Sequence, residues 1–197
     1  MTVSDDLYDR LRLAFLGFGY EQATMSGLAR ACGLTRRALY HHFSNKEEAF
    51  RHVLKVANEH AIRAGMAAAQ DAMRQGKDAA EVLTGLMDAR YGEARRTLAA
   101  SPHALEINDQ AFRRAGDVMN RAAAVFQEEL TGFLEEMQEA GKFNLKAGFD
   151  AATLAQLLAD GARGVNQARP PIAAERLVDR YRAMNRAILF GAVEEQD

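Results

Sequence analysis

Residues 24 to 50, with the sequence TMSGLARACGLTRRALYHHFSNKEEAF, constrain the fold most strongly, because they predict two short helices joined at a glycine. Thr24 can cap the first helix, and apolar residues recur after it at helical spacing. Gly33 tolerates the left-handed turn that ends this helix, and Thr35 can cap the second. Two short helices hinged in this way predict a helix-turn-helix unit.

The second of these helices has one face rich in hydrogen-bond donors. Ala38 and Leu39 point toward the domain interior, which leaves the opposite face free. That free face carries Thr35, Arg36, Arg37, Tyr40 and His41. These side chains suit a DNA major groove, whose edges present acceptors and phosphates.

A third helix begins just after this one. Ser44 and Glu47 have the spacing of a capping box, which places Lys46 in the first turn. A helix N-terminus combined with a lysine favours phosphate binding. We therefore expect Lys46 to contact the DNA backbone.

The order Leu39-Tyr40-His41-His42-Phe43, followed by Lys46-Glu47-Glu48, closely resembles the DNA-binding domain of the tetracycline-repressor (TetR) family. The resemblance covers about residues 7 to 54, and it implies that residues 35 to 42 form the recognition helix. By this resemblance Tyr40 and Lys46 contact phosphates. The residues nearest the bases would be Thr35, Arg36, Arg37 and His41, and Thr24 is a further expected DNA contact.

One position departs from the family pattern. Arg37 stands beside Arg36 at a point where the family often carries a small residue such as glycine. The base preference of this chain therefore cannot be taken from a relative.

Charge is distributed unevenly along the chain. Residues 1 to 55 contain eight Lys and Arg against six Asp and Glu, whereas the remaining residues contain 17 against 21. The overall net charge of -2 therefore hides a locally basic segment at the predicted DNA-binding end.

Other features of the sequence narrow the class of protein. The single cysteine, Cys32, excludes an internal disulfide, and no apolar run approaches the ~18 residues of a membrane span. The first 19 residues lack the layout of a signal peptide, so we expect a cytoplasmic protein without membrane contact. Adjacent carboxylates such as Glu128 and Glu129 diverge on a helix, and His41 and His42 do likewise. We therefore predict neither an enzyme nor a metal or cofactor site.

The remainder of the chain also has helical periodicity, so the predicted fold is all-α. We expect an N-terminal three-helix DNA-binding domain at residues 1–52, followed by a larger helical ligand-binding and dimerisation domain at residues 53–197. A break near Asn108 or Gly116 would divide residues 104 to 140 into two helices, and Ser101 with Pro102 would open that segment. The other helices are expected at residues 47 to 74, 79 to 100, 150 to 167 and 172 to 192.

The last two predicted helices each carry a broad apolar stripe. By the family resemblance, such a pair forms a four-helix bundle with the same pair of a second chain, and two-fold symmetry then presents two recognition helices. From the residues alone, packing within one subunit remains the alternative. The predicted interface residues are Leu154, Leu157, Leu158, Ala162, Val165, Leu177, Tyr181, Met184 and Ile188.

Methionine, aromatic and polar side chains of the middle helices suggest a ligand chamber. Methionine and aromatic groups adapt to irregular ligands, but the same stripe is equally typical of an ordinary core. Polar residues next to it need partners, which can be a ligand or a neighbouring side chain. The predicted ligand residues are Met66, Met87, Arg90, Tyr91, His103, Phe112, Met119, Phe126 and Asn166.

The sequence thus predicts a transcriptional regulator that binds double-stranded DNA as a homodimer. We expect a repressor of a palindromic operator that is released by a small, largely apolar effector. The alternative is a DNA-binding regulator whose C-terminal domain binds proteins and has no small-molecule site.

Overall fold

The computed structural model describes residues 4–193, and within them the chain is all-α as predicted. A π-helical turn at Asp88–Gly92 and a 3-10 turn at Ala174–Arg176 interrupt the series, and an isolated β-bridge joins Leu145 and Val193. The helices are α1 (Asp5–Phe18), α2 (Met25–Ala31), α3 (Arg36–His42), α4 (Lys46–Arg74), α5 (Ala79–Met87), α6 (Glu93–Ala99), α7 (Ala104–Glu139), α8 (Ala151–Asn166) and α9 (Leu177–Ala192).

Side-chain caps define the starts of α2 and α3, as the sequence predicts. The Thr24 hydroxyl accepts the amide proton of Gly27 at 3.0 Å, and the Thr35 hydroxyl accepts that of Ala38 at 3.1 Å. Each cap satisfies a backbone donor that lacks an intrahelical acceptor. Between the two helices Gly33 has φ +67, the left-handed conformation expected for a turn glycine.

The cap of α4 differs from the predicted pairing of Ser44 with Glu47. Asn45 is the capping residue, and its side-chain oxygen accepts the amide proton of Glu48 at 2.9 Å. The Glu48 carboxylate accepts from both the amide and the hydroxyl of Ser44, at 2.7 Å each. The prediction was wrong by one residue, because Asn45 is itself a good cap and leaves Glu47 free for another partner.

Four features of the rest of the chain also differ from expectation. The predicted helix at residues 79 to 100 contains the π-helical turn, and α9 begins at Leu177 after the 3-10 turn. Ser101 does not open α7 directly. Its hydroxyl is used in the preceding turn, where it accepts from the amide of His103 and donates to the carbonyl of Leu16. Residues 104 to 139 form one helix with a kink at Ala115 (φ -136, ψ 28), close to the predicted break at Gly116.

The described chain forms two compact units. The first runs to His60 and also includes Thr97–Ala122, and the second consists of Ala61–Arg96 and the described residues from Ala123 onward. Both α4 and α7 therefore contain residues of each unit. The first unit adds the start of α7 to the helices of the predicted DNA-binding domain.

The first unit has a dense core of aromatic and leucine side chains. The rings of Phe15, Tyr20 and Phe50 contact one another with centroid separations of 5.0 to 6.4 Å. Leu28 and Leu39 are fully buried and fix α2 and α3 against this core. Burying each such side chain contributes roughly 1.5–3 kcal/mol, so the core sets the position of the helix-turn-helix.

The second unit is organised around α5, the later part of α7, α8 and α9. Its fully buried side chains include Leu83, Leu86, Met87, Leu130, Leu134, Met137, Leu154, Leu158 and Tyr181. Polar contacts join α5 to α9, because Arg182 pairs with Glu81 at 2.7 Å and Asn185 donates to the Thr84 hydroxyl at 3.3 Å. No helix among residues 4–193 combines the length and apolar character needed to cross a bilayer.

Candidate nucleic-acid interface

The exposed face of α3 collects five of the seven predicted DNA contacts. Leu39 is fully buried and turns the opposite face of this helix outward. Tyr40 has 41% of its surface exposed, so its ring lies on the outward face of this helix. The exposed residues of this face are Thr35, Arg36, Arg37, Tyr40 and His41. The structure therefore places these residues together on one surface of a helix.

Arg36 and Tyr40 form a pair on this face. The guanidinium carbon of Arg36 lies 5.4 Å from the centre of the Tyr40 ring, and an Arg36 nitrogen donates to the Tyr40 hydroxyl at 3.5 Å. Residues four apart on a helix are neighbours, and a cation over an aromatic ring is attracted to it. Arg36 is thus directed along the helix toward Tyr40.

Thr24 lies at the exposed start of α2. Its hydroxyl oxygen is used as the helix cap, whereas the hydroxyl proton is available to donate. A threonine in this position suits a phosphate oxygen as acceptor.

Lys46 has a different environment from the one that the sequence suggests. Its ammonium donates to the carbonyl oxygens of Tyr20, Glu21 and Ala23, at 2.9, 3.1 and 3.2 Å. An ammonium has three donors, so these carbonyls use all of them. Lys46 fixes the connection between α1 and α2, and a phosphate contact requires it to give up one of these carbonyls.

Charged side chains of both signs lie at the start of α4. Hydrogen bonds from Ser44 lower the pKa of the Glu48 carboxyl, which keeps it ionised as the partner of that residue. A concavity of about 590 Å³ lies beside this helix start, lined by Tyr20, Asn45, Lys46, Glu47, Glu48 and Arg51. Its lining mixes both signs of charge.

The predicted ligand residues divide between the two compact units. His103, Phe112 and Met119 belong to the first unit, where Phe112 is half exposed and His103 contacts Glu106 at 3.3 Å. Met66, Met87, Arg90, Tyr91, Phe126 and Asn166 belong to the second. The predicted set therefore does not form a single cluster inside one unit.

Three of the second-unit residues do come together at the π-helical turn. The Arg90 guanidinium lies 4.6 Å from the Tyr91 ring centre and 5.5 Å from that of Phe126. Burial lowers the pKa of Arg90 and raises the pKa of Tyr91, whose hydroxyl also interacts with Arg163. Short π-helical segments frequently occur at functional sites.

The remaining second-unit residues have partners or positions of other kinds. Met87 is fully buried and Met66 is partly buried. The Asn166 amide donates to the carbonyl of Ala162, and its oxygen accepts from the Tyr181 hydroxyl at 3.0 Å. Asn166 is therefore satisfied by neighbouring protein groups. A second concavity, of about 230 Å³, is lined by other residues of this unit, including Asp78, Lys142 and Phe143.

The predicted dimer residues also separate into two groups. Five of them are fully buried within the single chain and pack its interior: Leu154, Leu158, Ala162, Leu177 and Tyr181. Leu157 is 41% exposed, and Val165, Met184 and Ile188 are partly exposed. Only this second group has surface to offer to a partner. Small or apolar neighbours absent from the predicted set, including Ala183, Ala187 and Phe190, are also exposed.

Comparison with known proteins finds a family match in the N-terminal part of the chain. Residues 13–53 match the family model described as bacterial regulatory proteins, tetR family. No curated protein matches the chain significantly in sequence. Among residues 4–193, no group of three or more His, Cys, Asp or Glu side chains is placed to hold a metal ion.

Solved structures extend the similarity to the whole fold. PfmR, a TetR family transcriptional regulator from Thermus thermophilus, is 25% identical with a TM-score of 0.57, over 95% of this chain and 98% of that one. The fatty acid degradation regulator FadR from Bacillus halodurans is 20% identical with a TM-score of 0.66, over 97% and 98%. SmeT, the repressor of the Stenotrophomonas maltophilia multidrug efflux pump SmeDEF, is 15% identical with a TM-score of 0.64, over 99% and 92%.

Proposed function

We propose that this chain, which is a DNA-binding transcriptional regulator of the TetR family, represses transcription as a homodimer bound to a palindromic operator. The observation that carries the proposal is the recognition face of α3, where Arg36, Arg37, Tyr40 and His41 are exposed together. Donors and a ring on one helical face suit the major groove, and Thr24 would add a backbone contact.

Two copies are needed because one short helix reads only a few base pairs. Helix-turn-helix dimers place two recognition helices about one DNA turn apart, so the symmetry of the protein specifies a palindrome. The exposed part of α8 and α9 supports dimerisation. We define the apolar face as Leu157, Ala183, Met184, Ala187, Ile188 and Phe190, which includes the 74% exposed Phe190. An exposed apolar surface of this kind is typical of a subunit interface.

A small-molecule effector would release the repressor from DNA. The supporting observation is the group formed by Arg90, Tyr91 and Phe126 at the π-helical turn, where one charged side chain lies among aromatic rings. A mostly apolar set of side chains with one polar group is the composition that small-ligand sites typically have. Because α4 contains residues of both units, an effector that shifts its second half would also alter the helix start beside the recognition helix.

The alternative is a C-terminal domain that binds another protein. The dense packing of the second unit favours it, since Met87 and Phe126 have no exposed surface. The 230 Å³ concavity is also lined by none of the predicted ligand residues.

Operator selection tests the DNA-binding part of the proposal. The protein would be used to select duplexes from random sequence, and we expect a palindrome whose half-sites lie about one helical turn apart. Selection of a single asymmetric half-site would contradict the dimeric model.

Native mass spectrometry of the purified protein then tests the effector. A dimer that carries a releasable small molecule, and that loses operator affinity when the molecule is added back, supports an effector site.

A further inference from the structure

One face of the first part of α7 forms hydrogen bonds with the connection between α1 and α2 and with the first turns of α4. This coupling row consists of Glu106, Gln110, Arg114 and Asp117, which lie three or four residues apart and so share a side of the helix. All four belong to the same compact unit as α1, α2 and α3.

Glu106 and Gln110 fix the connection between α1 and α2. The backbone amide of Glu21 donates to the Glu106 carboxylate at 2.6 Å, and the Gln110 amide donates to the Glu21 carboxylate at 2.8 Å. Gly19 has φ +71, and a Cβ there would lie 2.8 Å from the His103 ring nitrogen. The left-handed backbone at this position favours glycine, whatever the space around it.

Arg114 joins three parts of the DNA-binding unit. It donates to the Gln110 side chain at 2.6 Å and to the Glu47 carboxylate at 2.8 Å. Its guanidinium carbon lies 4.5 Å from the centre of the Tyr20 ring, and the Lys46 nitrogen lies 4.5 Å from the same ring centre. The ring of Tyr20 is thus contacted by two cations, one from α7 and one from α4.

The kink in α7 lies beside this arginine. Arg51 of α4 donates to the Arg114 carbonyl, and it also donates to the two oxygens of Asp117 at 2.8 and 2.6 Å. Ala115 has the non-helical backbone conformation that marks the kink. The carbonyl next to the kink thus accepts from a charged donor, and the bidentate pair of Arg51 with Asp117 fixes the geometry.

These contacts act on both ends of the helix-turn-helix. Tyr20, Glu21 and Ala23 lead into α2, and the segment from Phe43 to Glu47 leads out of α3 into α4. Lys46 bridges the two, since its ammonium reaches back to the carbonyls before α2. Arg114 contacts Glu47 on one side of this bridge and Tyr20 on the other.

We propose that Arg114 is a positioning residue for DNA binding. It acts through Glu47 and Tyr20 to fix the start of α4 and the entry to α2, and thereby the placement of the recognition helix, without contacting DNA. The proposal depends on DNA binding by α3 and is independent of any effector.

The test compares Arg114→Gln with Arg113→Gln. Arg113 is the matched control, because it is the adjacent arginine of the same helix and pairs only locally in the observed contacts, with Asp109 at 2.9 Å. Binding would be measured by fluorescence anisotropy on a duplex selected by the wild-type protein, over a series of salt concentrations, with the folded fraction determined by circular dichroism.

We expect Arg114→Gln to lower affinity about tenfold at full folding, the size expected when a charge-assisted hydrogen bond is lost. The slope of log affinity against log salt should remain that of the wild type, since no phosphate contact is removed. Arg114→Lys, which keeps a cation near Tyr20 and Glu47, should bind the duplex at least about threefold more tightly than Arg114→Gln does. The control should stay within about twofold, as expected for a surface pair.

Three results would overturn the proposal. A salt slope reduced by about one in Arg114→Gln would show that Arg114 contacts a phosphate itself. An affinity loss that merely follows the unfolded fraction would show a general structural role. Unchanged affinity would show that the coupling row does not influence DNA binding. If no duplex can be selected at all, DNA reading by α3 fails as a separate matter, and that failure is recognised before any variant is made.

Discussion

Arg36 and Arg37 are neighbours in sequence with different surroundings. Arg36 is paired with Tyr40 along the helix, whereas Arg37 projects about 100° around the helix from it. A paired guanidinium is already oriented, and its ring partner is expected at the DNA backbone. Arg37 is consequently the stronger candidate for reading a base.

Arg37→Ala should therefore reduce sequence preference as well as affinity. We expect a cost of ~1–3 kcal/mol on the selected operator and relaxed preference at one base pair of each half-site, as for the loss of a bidentate contact to guanine. Repeating the selection with the variant measures both effects. Arg63→Ala, which removes an exposed arginine of α4 in the second unit, is the control. Equal losses on operator and random DNA would instead identify Arg37 as a phosphate contact.

The residue-level predictions were accurate where the determining contact is local. Thr24 and Thr35 cap their helices through amides three residues away, so the sequence contains the whole interaction. Lys46 bonds to carbonyls more than 20 residues earlier in the chain. Arg114 and Glu47 are 67 residues apart. No local pattern indicates such partners, because they depend on how the helices pack.

Helices were predictable as elements because apolar residues with a period of 3.6 indicate both the helix and its buried face. The kinks and caps of these helices were harder to predict from the sequence. The kink at Ala115 lies where Arg51 of α4 donates a hydrogen bond to the Arg114 carbonyl. The glycine one residue after the kink indicates its position only in part. The cap of α4 was misassigned because the sequence allows two overlapping pairings. One is Ser44 with Glu47, and the other is Asn45 with Glu48. Tertiary contacts, such as that of Glu47 with Arg114, decide between them.

Helix α4 also contains a histidine whose pKa the fold lowers. His52 lies with its ring centre 5.4 Å from that of Phe43. Burial, and secondarily the positive charge of Lys55, lowers the pKa of His52, while Glu59 and Glu48 oppose the change. The folded protein therefore favours the neutral imidazole more than the unfolded chain does.

Acid should weaken the folded state through His52. The neutral imidazole is accommodated fully above the unfolded-state pKa of about 6.5, and stability is lost as the pH falls from there through the depressed folded-state pKa. We expect urea midpoints to drop between pH 7.5 and 5.5, and His52→Gln to show a smaller drop. Glu48 and Asp117, whose pKa values are also lowered, titrate well below this window. Identical drops in both proteins would exclude His52 as the source.

At the scale of the whole molecule, apolar periodicity could not distinguish core from interface. The stripes of α8 and α9 predicted one set of nine residues, yet five of these are buried by the same chain. A helix of a small all-α unit can bury one side within its own chain and present another to a second copy. Sequence spacing alone does not assign the two sides, because both carry small and apolar residues.

Ala187 tests whether the apolar face forms the dimer. Its side chain is exposed on α9, so Ala187→Arg should leave the fold of the chain intact, whereas an unpaired charge buried at an interface typically costs several kcal/mol. We expect a folded monomer by light scattering, together with operator binding weakened by at least about 100-fold, because a single recognition helix loses the second half-site. Ala67→Arg, the same change at an exposed alanine of α4, should remain dimeric. If Ala187→Arg still forms a dimer with full operator affinity, the two recognition helices must be paired through another surface. A monomeric variant that keeps full affinity would mean that a palindrome is read without the dimer.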